Sequence, residues 1–175
     1  MRLLGIAGWS GAGKTTLVER MLPLLQARGL TVSTVKHAHH GVDVDRPGKD
    51  SFRHRAAGAS EVLVVGDRRW ALMRETPEPV PIADLVARLA PVDLVLIEGF
   101  KSEPHPKIEV YRATLGKPPL WPERADILAV ATDDPTLDAQ GRDVLALDDA
   151  AQIVAWTLRR LDIRPAAGRP ATVPA

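Results

Sequence analysis

The sequence predicts an α/β protein with a mostly parallel β-sheet flanked by helices, and three observations support this prediction. Short apolar runs of strand length alternate with segments of helical periodicity at both ends of the chain. The runs at 3–7 and 92–97 are almost continuously apolar, which is typical of strands buried on both faces. The segment 61–74 differs, because two strand-like runs flank a turn at Gly66, and it predicts an antiparallel hairpin extension.

The first third of the chain alternates between strand and helix patterns. Apolar residues recur at helical spacing from Lys14 to Arg28, and Pro23 is expected to kink this helix. The β-branched segment 31–35 predicts the second strand. Residues 36–50 are polar and contain glycine and proline, so they predict a long loop, and loops of this length inside a domain are usually functional or mobile.

The rest of the chain supplies the remaining elements. Helices are expected at 51–59, 82–90 and 148–161, and strands at 92–97, 127–131 and 144–147. The segment 107–111 alternates between polar and apolar residues, which predicts a half-exposed strand. We expect it, like the hairpin, to form an antiparallel extension or a dimerisation arm. Prolines and a glycine predict a loop at 113–122.

Length and composition predict one domain over residues 1–161. The chain has 175 residues, of which 45% are hydrophobic and 26% charged, so it is long and apolar enough to bury its own core. Residues 162–175 differ in composition, because Pro165, Pro170 and Pro174 lie among small residues. This tail is expected to be disordered.

Charge and cysteine usage exclude several classes of function. The net charge of +1 leaves no electrostatic footprint for nucleic acid or an anionic membrane, so neither is an expected partner. The chain has no cysteine, which excludes thiol catalysis, disulfides and thiolate metal sites. The longest apolar runs fall far short of the roughly 20 residues of a membrane span. A cytoplasmic location is expected.

Residues 8–15, with the sequence G-W-S-G-A-G-K-T, match the pattern G-x-x-x-x-G-K-[ST] at every fixed position. Glycines let the backbone curl and turn its N–H groups towards phosphate oxygens, while Lys14 supplies charge and Thr15 offers a hydroxyl to Mg²⁺. The alternative is a chance glycine-rich turn, but the motif lies between an apolar strand and a helix, as a phosphate loop requires. The predicted nucleotide-binding residues are Gly8, Ser10, Gly11, Ala12, Gly13, Lys14 and Thr15.

Glu98 ends the apolar strand at 92–97 and is the second candidate ligand of Mg²⁺. In nucleotide-binding proteins with a phosphate loop, a neighbouring strand presents an acid to the metal at its carboxyl end. Asp93 lies at the start of the same strand and is expected only to shape a turn. The alternative for Glu98 is a surface carboxylate before a turn glycine.

Thr132 and Asp133 follow the strand at 127–131 and are candidates for reading the nucleotide base. An aspartate there accepts hydrogen bonds from both N1–H and the amino group of guanine, which adenine does not offer. The usual guanine motif N-K-x-D is missing, so the pair favours guanine only weakly. Simple turn chemistry at Asp134-Pro135 is the competing interpretation.

Most of the histidines lie in the polar loop, and three interpretations of it stay open. The loop is a switch or second-ligand site over the nucleotide, a Zn or Ni site, or a solvated surface. The histidine spacing suits a tetrahedral metal site poorly. The candidate residues are Lys36, His37, His39, His40, Asp43, Asp45, Lys49 and Asp50.

Several blocks together resemble the molybdopterin-guanine dinucleotide biosynthesis protein B (MobB) family of the P-loop NTPase superfamily. The resemblance covers about residues 3–161 and is distinctive, because the P-G-K-D-S and R-W-A-L-M sequences are not general to P-loop proteins. The matching blocks are residues 7–16, 36–40, 43–51, 69–73, 98–101 and 129–133.

The resemblance implies a dimeric GTP-binding protein with weak GTPase activity at most. Such a protein assists a partner nucleotidyltransferase, MobA, in attaching GMP to molybdopterin. Carried over to this chain, residues 11–16, including Thr16, hold the phosphates of GTP, and Thr15 and Glu98 lie near Mg²⁺. The loop at 36–54 becomes the face for the phosphate of molybdopterin or for the partner.

Two rival functions remain open at the level of sequence. A small-molecule kinase or ligase of the P-loop class would use the same loop to activate a hydroxyl or carboxylate, with its substrate in the 36–54 loop. A metal-delivery GTPase would use His37, His39 and His40 as ligands. No residue pattern identifies the group that positions a hydrolytic water.

Overall fold

The computed structural model describes residues 1–38 and 45–164. Its strands are β1 (Arg2–Ala7), β2 (Val32–Lys36), β3 (Glu61–Val65), β4 (Trp70–Arg74), β5 (Leu94–Glu98), β6 (Lys107–Tyr111), β7 (Ile127–Thr132) and β8 (Asp143–Ala146). Its helices are α1 (Lys14–Gln26), α2 (Asp50–Ala56), α3 (Ile82–Val86) and α4 (Ala150–Arg160), with short 3₁₀ turns at Ala113–Leu115 and Trp121–Glu123. Each predicted helix and strand is present, with somewhat different ends.

The chain divides into two compact units. The first is formed by Met1–His37 and Leu85–Ala175, and the second by Ala38–Asp84. The first unit contains the large sheet with the phosphate-loop sequence, and the second contains α2 and the hairpin of β3 and β4. The prediction of a single domain over residues 1–161 stays a prediction.

The first unit is built on a six-stranded sheet in the order β2-β5-β1-β6-β7-β8. Every neighbouring pair in it is parallel. β1 lies inside the sheet, with Ile6 opposite Glu98 of β5 and Ala7 opposite Glu109 of β6. The carboxyl ends of these strands therefore meet at one edge, where α/β proteins place their ligands. The predicted fold class is confirmed.

The prediction for residues 107–111 is right that the segment is a strand but wrong about the place and the exposure of that strand. The segment forms β6, a parallel strand between β1 and β7, rather than a half-exposed antiparallel extension. Its alternating pattern was misleading because both charged residues, Lys107 and Glu109, are fully buried. Burying a charge is costly unless hydrogen bonds or an opposite charge compensate it, so each of the two needs close partners.

Lys107 finds its partners at the amino end of β6. Its ammonium group donates to the carbonyl oxygens of Glu103 and His105, the latter at 3.0 Å, and to the carboxylate of Asp126. His105 packs so closely against β1 that a Cβ on Gly5 would lie 2.6 Å from its Nε2. Burial, together with the charge of Lys107, lowers the pKa of His105 to about 4. The imidazole is therefore neutral near pH 7.

Glu109 anchors the loop that follows β6. Its carboxylate accepts hydrogen bonds from the backbone N–H groups of Leu120, at 3.0 and 3.1 Å, and Trp121, at 3.0 Å. Burial nevertheless raises the pKa of Glu109 to about 6, and these two hydrogen bonds oppose the rise. The same loop supplies the Pro118 carbonyl, which accepts a hydrogen bond of 2.7 Å from Nε1 of Trp9. A buried carboxylate thus fixes the loop that contacts the phosphate-loop sequence.

The main core lies where α1 and α4 pack against the sheet. Both helices turn an apolar stripe inward, as helical periodicity predicts. The cluster includes fully buried residues of both helices and of the sheet strands, among them Leu4, Met21, Leu96, Ile108 and Ile153. A smaller cluster forms around Trp121, Ile127 and Val130. α1, which follows the phosphate loop, is therefore held firmly by burial of apolar surface.

The second unit combines α2 with the antiparallel pair β3 and β4, which confirms the predicted hairpin. Leu63 pairs with Leu72 and Val65 with Trp70, so these four apolar side chains share one face of the hairpin. That face is exposed to solvent, with Trp70 69% and Val65 70% accessible.

The carboxyl end of α4 continues into a short described segment. Ile163 is buried and belongs to the main core, although the predicted tail starts at Asp162. The remaining tail residues, 165–175, lie outside the described residues. Within the described ranges, no helix combines the length and the apolar character that crossing a bilayer requires.

Glu109 should make the stability of the chain depend on pH. Its pKa of about 6 in the folded protein exceeds the ordinary value of 4.5. Folding therefore favours the protonated carboxyl, and this contribution is fully present below about pH 4.5 and is lost as the pH rises through about 6. The difference amounts to about 2 kcal/mol.

Denaturant unfolding of the wild type and of Glu109→Gln measures this effect. From about pH 4 to about pH 7, the free energy of unfolding of the variant should rise by about 2 kcal/mol relative to the wild type. His105 is present in both proteins, so its contribution to the pH dependence of the unfolding free energy cancels in the comparison. A difference that stays constant across this range would contradict the prediction.

Candidate functional site

The phosphate loop, residues 8–15, follows β1 directly and ends in the first turn of α1. Gly8 has a φ of 132°, and a Cβ there would lie 2.4 Å from the carbonyl oxygen of Val110 in β6. Gly13 caps α1 with a φ of 102°, a left-handed conformation that glycine adopts without steric cost. The backbone therefore requires glycine at both ends of the curve, independently of any ligand.

Lys14 is the first residue of α1 and folds back onto the loop. Its Nζ donates a hydrogen bond of 2.8 Å to the carbonyl oxygen of Trp9. Burial lowers the pKa of Lys14, while the charge of Glu98 opposes this effect. Among the other loop residues predicted to bind phosphate, Ala12 is buried, and Ser10, Gly11, Thr15 and Thr16 are exposed to solvent.

Thr15 and Glu98 lie in contact, although 83 residues separate them in the chain. The Thr15 hydroxyl donates to the Glu98 carboxylate, with Oγ1 3.0 Å from Oε1 and 3.2 Å from Oε2. β5 pairs with β1, so Glu98 is carried beside the loop as the sequence predicts. A hydroxyl and a carboxylate are the hard oxygen donors that Mg²⁺ prefers. This pair fits the ion.

Lys36 ends β2, His37 follows it, and both border the same carboxylate. Nζ of Lys36 lies 3.6 Å from Oε1 of Glu98. The N–H of His37 donates to the carbonyl oxygen of Glu98 at 2.9 Å, and its ring stacks on Phe100 with centroids 4.6 Å apart. Gly99 allows this approach, because a Cβ there would lie 2.8 Å from the Cβ of His37. These contacts fix the carboxyl ends of β2 and β5 to each other.

A cavity of about 550 Å³ opens at the carboxyl ends of β7 and β8, on the other side of the phosphate loop. Side chains of α1, α4 and both strands line it, including Arg20, Arg112, Thr132, Asp133, Leu147 and Gln152. Its walls combine charged groups with apolar ones. A purine base is a flat apolar ring with polar edges and is suited to such a cavity.

Asp133 and Asp134 have different roles in this region. Asp134 forms the turn, because its Oδ1 accepts hydrogen bonds from the N–H of Thr136 at 2.9 Å and from its hydroxyl at 2.6 Å. These bonds lower the pKa of Asp134. Asp133 lines the cavity with its side chain 43% exposed. The competing turn chemistry thus falls on Asp134, and Asp133 stays a candidate for reading the base.

Arg112 is a site residue that sequence reasoning missed. It comes directly after β6, and its Nε donates to the carbonyl oxygen of Ala12 in the phosphate loop at 3.2 Å. Its Nη1 donates to Oδ2 of Asp133 at 2.5 Å. The side chain therefore joins the phosphate loop to the cavity. No motif marks it, because its partners are 100 and 21 residues away.

A family model described as molybdopterin guanine dinucleotide synthesis protein B (MobB) matches residues 3–133. The chain belongs to the MobB family. It is 51% identical over 136 residues to the molybdopterin-guanine dinucleotide biosynthesis adapter protein of Haemophilus influenzae, covering 76% of this chain and 75% of that protein. The protein of the same name from Escherichia coli is 43% identical over 162 residues, covering 88% of this chain and 92% of the relative.

Solved structures agree with this membership. The crystal structure of a MobB homologue from Bacillus stearothermophilus superimposes with a TM-score of 0.68 at 29% identity, covering 94% of this chain and 100% of that one. The resemblance drawn from the sequence blocks is thereby confirmed, and so is the P-loop fold.

The predicted second-ligand loop of this MobB-family chain is only partly described. His39, His40 and Asp43 lie outside the described residues. Lys36 and His37 belong to the first unit, as shown above. In residues 1–38 and 45–164, no group of three or more histidine or acidic side chains is arranged to hold a metal ion.

The later residues of that loop belong to the second unit. Asp45 is buried, and its Oδ1 accepts a hydrogen bond of 2.8 Å from Nη2 of Arg55. Asp50 begins α2 directly after Lys49, and both are exposed. Asp45 therefore has a structural partner in its own unit. Lys49 and Asp50 are exposed, and Oδ1 of Asp50 lies 3.7 Å from Nη1 of Arg53.

Trp9 gives the phosphate loop of this family member an unusual surface. The Nζ of Lys101 lies 4.2 Å from the centroid of its indole ring, and that of Lys117 lies 5.9 Å away. A cation over an aromatic ring is attracted by the negative face of the ring. The sequence shows Trp9 as a variable position of the motif, and only the structure reveals its lysine neighbours.

Proposed function

We propose that this chain is a GTP-binding adapter protein in molybdopterin-guanine dinucleotide biosynthesis, assisting a MobA-like nucleotidyltransferase that attaches GMP to molybdopterin. The observation that carries the proposal is an intact phosphate loop, with Thr15 on Glu98, in a member of the MobB family. The relatives from H. influenzae and E. coli are named as adapter proteins of this biosynthesis. The term adapter agrees with a protein that binds nucleotide and acts through a partner.

We propose that the phosphate loop binds the phosphates of GTP and that Thr15 and Glu98 hold Mg²⁺. The N–H groups of residues 11–16 and the start of α1 favour an anion. Lys14 adds a charge beside them. Mg²⁺ bound there would take oxygen donors from the Thr15 hydroxyl and the Glu98 carboxylate and would neutralise charge on the phosphates.

The proposed guanine preference rests on Asp133 and the adjoining cavity. A carboxylate accepts hydrogen bonds and donates none, so it pairs with the N1–H and amino group of guanine and repels the lone pair of adenine N1. Thr132 is buried beneath it and accepts a hydrogen bond of 3.2 Å from the N–H of Asp134. This contact orders the backbone that carries Asp133.

Hydrolysis of GTP is proposed to be slow in the isolated chain. P-loop proteins whose transition state is stabilised by a group from a partner turn over slowly by themselves. The 36–54 loop is proposed as the face for the phosphate of molybdopterin or for the nucleotidyltransferase. Lys36, with its side chain 62% exposed beside Glu98, supplies a positive charge there.

We also propose that two copies of the chain associate through the exposed apolar face of β3 and β4. Leu63, Val65, Trp70 and Leu72 form a contiguous apolar surface there, and all are at least 47% exposed. Contiguous apolar surface is uncommon on monomers, and tryptophan often contributes strongly to interfaces. Pairing with a second copy would remove this surface from water.

Calorimetric titration of the purified chain with GTP and ATP in the presence of Mg²⁺ tests the nucleotide site. GTP should bind more tightly than ATP. Lys14→Ala should weaken binding of both by about 1.5–3 kcal/mol, because a charge-assisted contact to phosphate is lost. Glu98→Gln should weaken binding only when Mg²⁺ is present.

Either of two results would count against this site. Unchanged GTP affinity in Lys14→Ala would refute the phosphate site. Equal affinity for GTP and ATP would remove the base-reading role of Asp133 and favour the kinase or ligase alternative.

Reconstitution with a MobA-like nucleotidyltransferase, molybdopterin, GTP and Mg²⁺ tests the adapter role. The chain should raise the rate at which molybdopterin-guanine dinucleotide forms, and Lys14→Ala should not, because its nucleotide site is impaired. The dinucleotide is measured by mass spectrometry of the extracted cofactor.

Other results of the reconstitution favour the rival functions. A phosphorylated small molecule formed without the transferase would indicate a kinase. Stoichiometric binding of Zn or Ni that depends on His37, with no effect on the dinucleotide, would indicate metal delivery.

Sedimentation velocity of Val65→Lys tests the proposed dimer. A buried lysine costs energy, so this variant should shift the chain towards monomer. Val64→Lys is the matched control, since Val64 is also exposed but lies on the opposite face of the same strand. It should leave the dimer intact. A monomeric wild type, or a dimer unchanged in Val65→Lys, would refute this interface.

A further inference from the structure

Arg112 occupies a position that joins the two parts of the proposed nucleotide site. β6, which it follows, lies between β1 and β7 in the sheet. β1 leads into the phosphate loop and β7 ends just before Asp133. The side chain therefore reaches the loop on one side and the cavity on the other without crossing another strand.

The contacts of Arg112 are specific in both directions. Nε donates to the Ala12 carbonyl at 3.2 Å, and Nη1 donates to Oδ2 of Asp133 at 2.5 Å. A Cβ on Gly13 would lie 4.0 Å from Nη2, so the guanidinium group runs along the loop. Arginine suits this arrangement because its donors are fixed in one plane, whereas a lysine ammonium group is a single point.

The contact leaves Asp133 able to accept further hydrogen bonds. A carboxylate has about four acceptor positions on its two oxygens, and Arg112 uses one of them. The chain has no N-K-x-D sequence around Asp133, and the charged group that contacts Asp133 comes instead from the end of another strand.

We propose that Arg112 is a positioning residue that holds Asp133 at a fixed distance from the phosphate loop and so sets the base selectivity of the site. The inference rests on the proposed GTP site and deepens it. Arg112 itself need not touch the nucleotide. It determines whether a base and a triphosphate fit Asp133 and the loop at the same time.

The test is calorimetric titration of the full chain with GTP, ATP and inorganic tripolyphosphate in the presence of Mg²⁺. The variants are Arg112→Gln, Arg112→Lys, Asp133→Asn and the double variant Arg112→Gln/Asp133→Asn. Arg160→Gln is the matched control, because it removes the same charge from an exposed position in the last turn of α4. Circular dichroism checks that each variant is folded.

Arg112→Gln should lower GTP affinity roughly tenfold, the loss expected for one charge-assisted hydrogen bond. Affinity for ATP and tripolyphosphate should stay within about twofold, because neither uses Asp133. Asp133→Asn should lower GTP affinity to a similar extent, and the double variant should bind GTP no more weakly than either single variant. Arg112→Lys should restore little of the GTP affinity that Arg112→Gln loses, since a lysine cannot make both contacts. Arg160→Gln should bind all three ligands as tightly as the wild type.

Three results would overturn the inference while the GTP site stands. The first is GTP selectivity that survives both Arg112→Gln and Arg112→Lys. The second is an equal loss for GTP, ATP and tripolyphosphate, which would make Arg112 a phosphate ligand. The third is multiplication of the two single effects in the double variant, which would make the residues independent.

Failure of the proposed function would be seen in the wild type and in Lys14→Ala. A wild type that binds GTP and ATP equally, or a Lys14→Ala variant with unchanged affinity, would refute the GTP site and this inference with it. Both results are obtained without any Arg112 variant.

Discussion

The position of β1 between β5 and β6 is the constraint on which the site depends. Parallel strands end at the same edge of the sheet, so the loop after β1 receives a side chain from each neighbour. β5 brings Glu98 to Thr15, and β6 is followed by Arg112, which reaches Ala12. β6 also limits the loop directly, because the Val110 carbonyl leaves no room for a side chain at position 8. The order of the strands thus determines both the shape of the loop and its partners.

The sequence of β6 is energetically costly for a strand inside the sheet. It lies inside the sheet but carries two buried charges, Lys107 and Glu109. The partners that compensate them lie in the segments before and after the strand. Lys107 bonds to the carbonyl oxygens of Glu103 and His105 and to Asp126, and Glu109 accepts from the N–H groups of Leu120 and Trp121. The buried charges therefore fix loops rather than simply filling the core. One of these loops contacts Trp9, so a polar group deep in the sheet influences the surface of the phosphate loop.

The sequence predicts the parts of the molecule that depend on local patterns. The helices, the strands, the hairpin and the phosphate loop follow from periodicity, turn residues and one motif. The position of Glu98 follows as well, since strand ends in parallel sheets converge. The location of β6 could not be predicted, because its charged residues imitate the alternation of an exposed strand. Arg112 was missed for a related reason: its partners, Ala12 and Asp133, are distant in the chain and close only in the fold.

The proposed base recognition in this chain differs in its layout from a single sequence motif. A guanine motif such as N-K-x-D concentrates the recognition and positioning groups on one strand end, where a sequence search finds them. In the proposed site the acid follows β7, and the group proposed to position it follows β6. Arg112 and Asp133 form an ion pair, and each of the two side chains is more than one third exposed. Exposed ion pairs contribute little to stability, so Arg112 is better explained by the geometry it imposes than by the energy it adds.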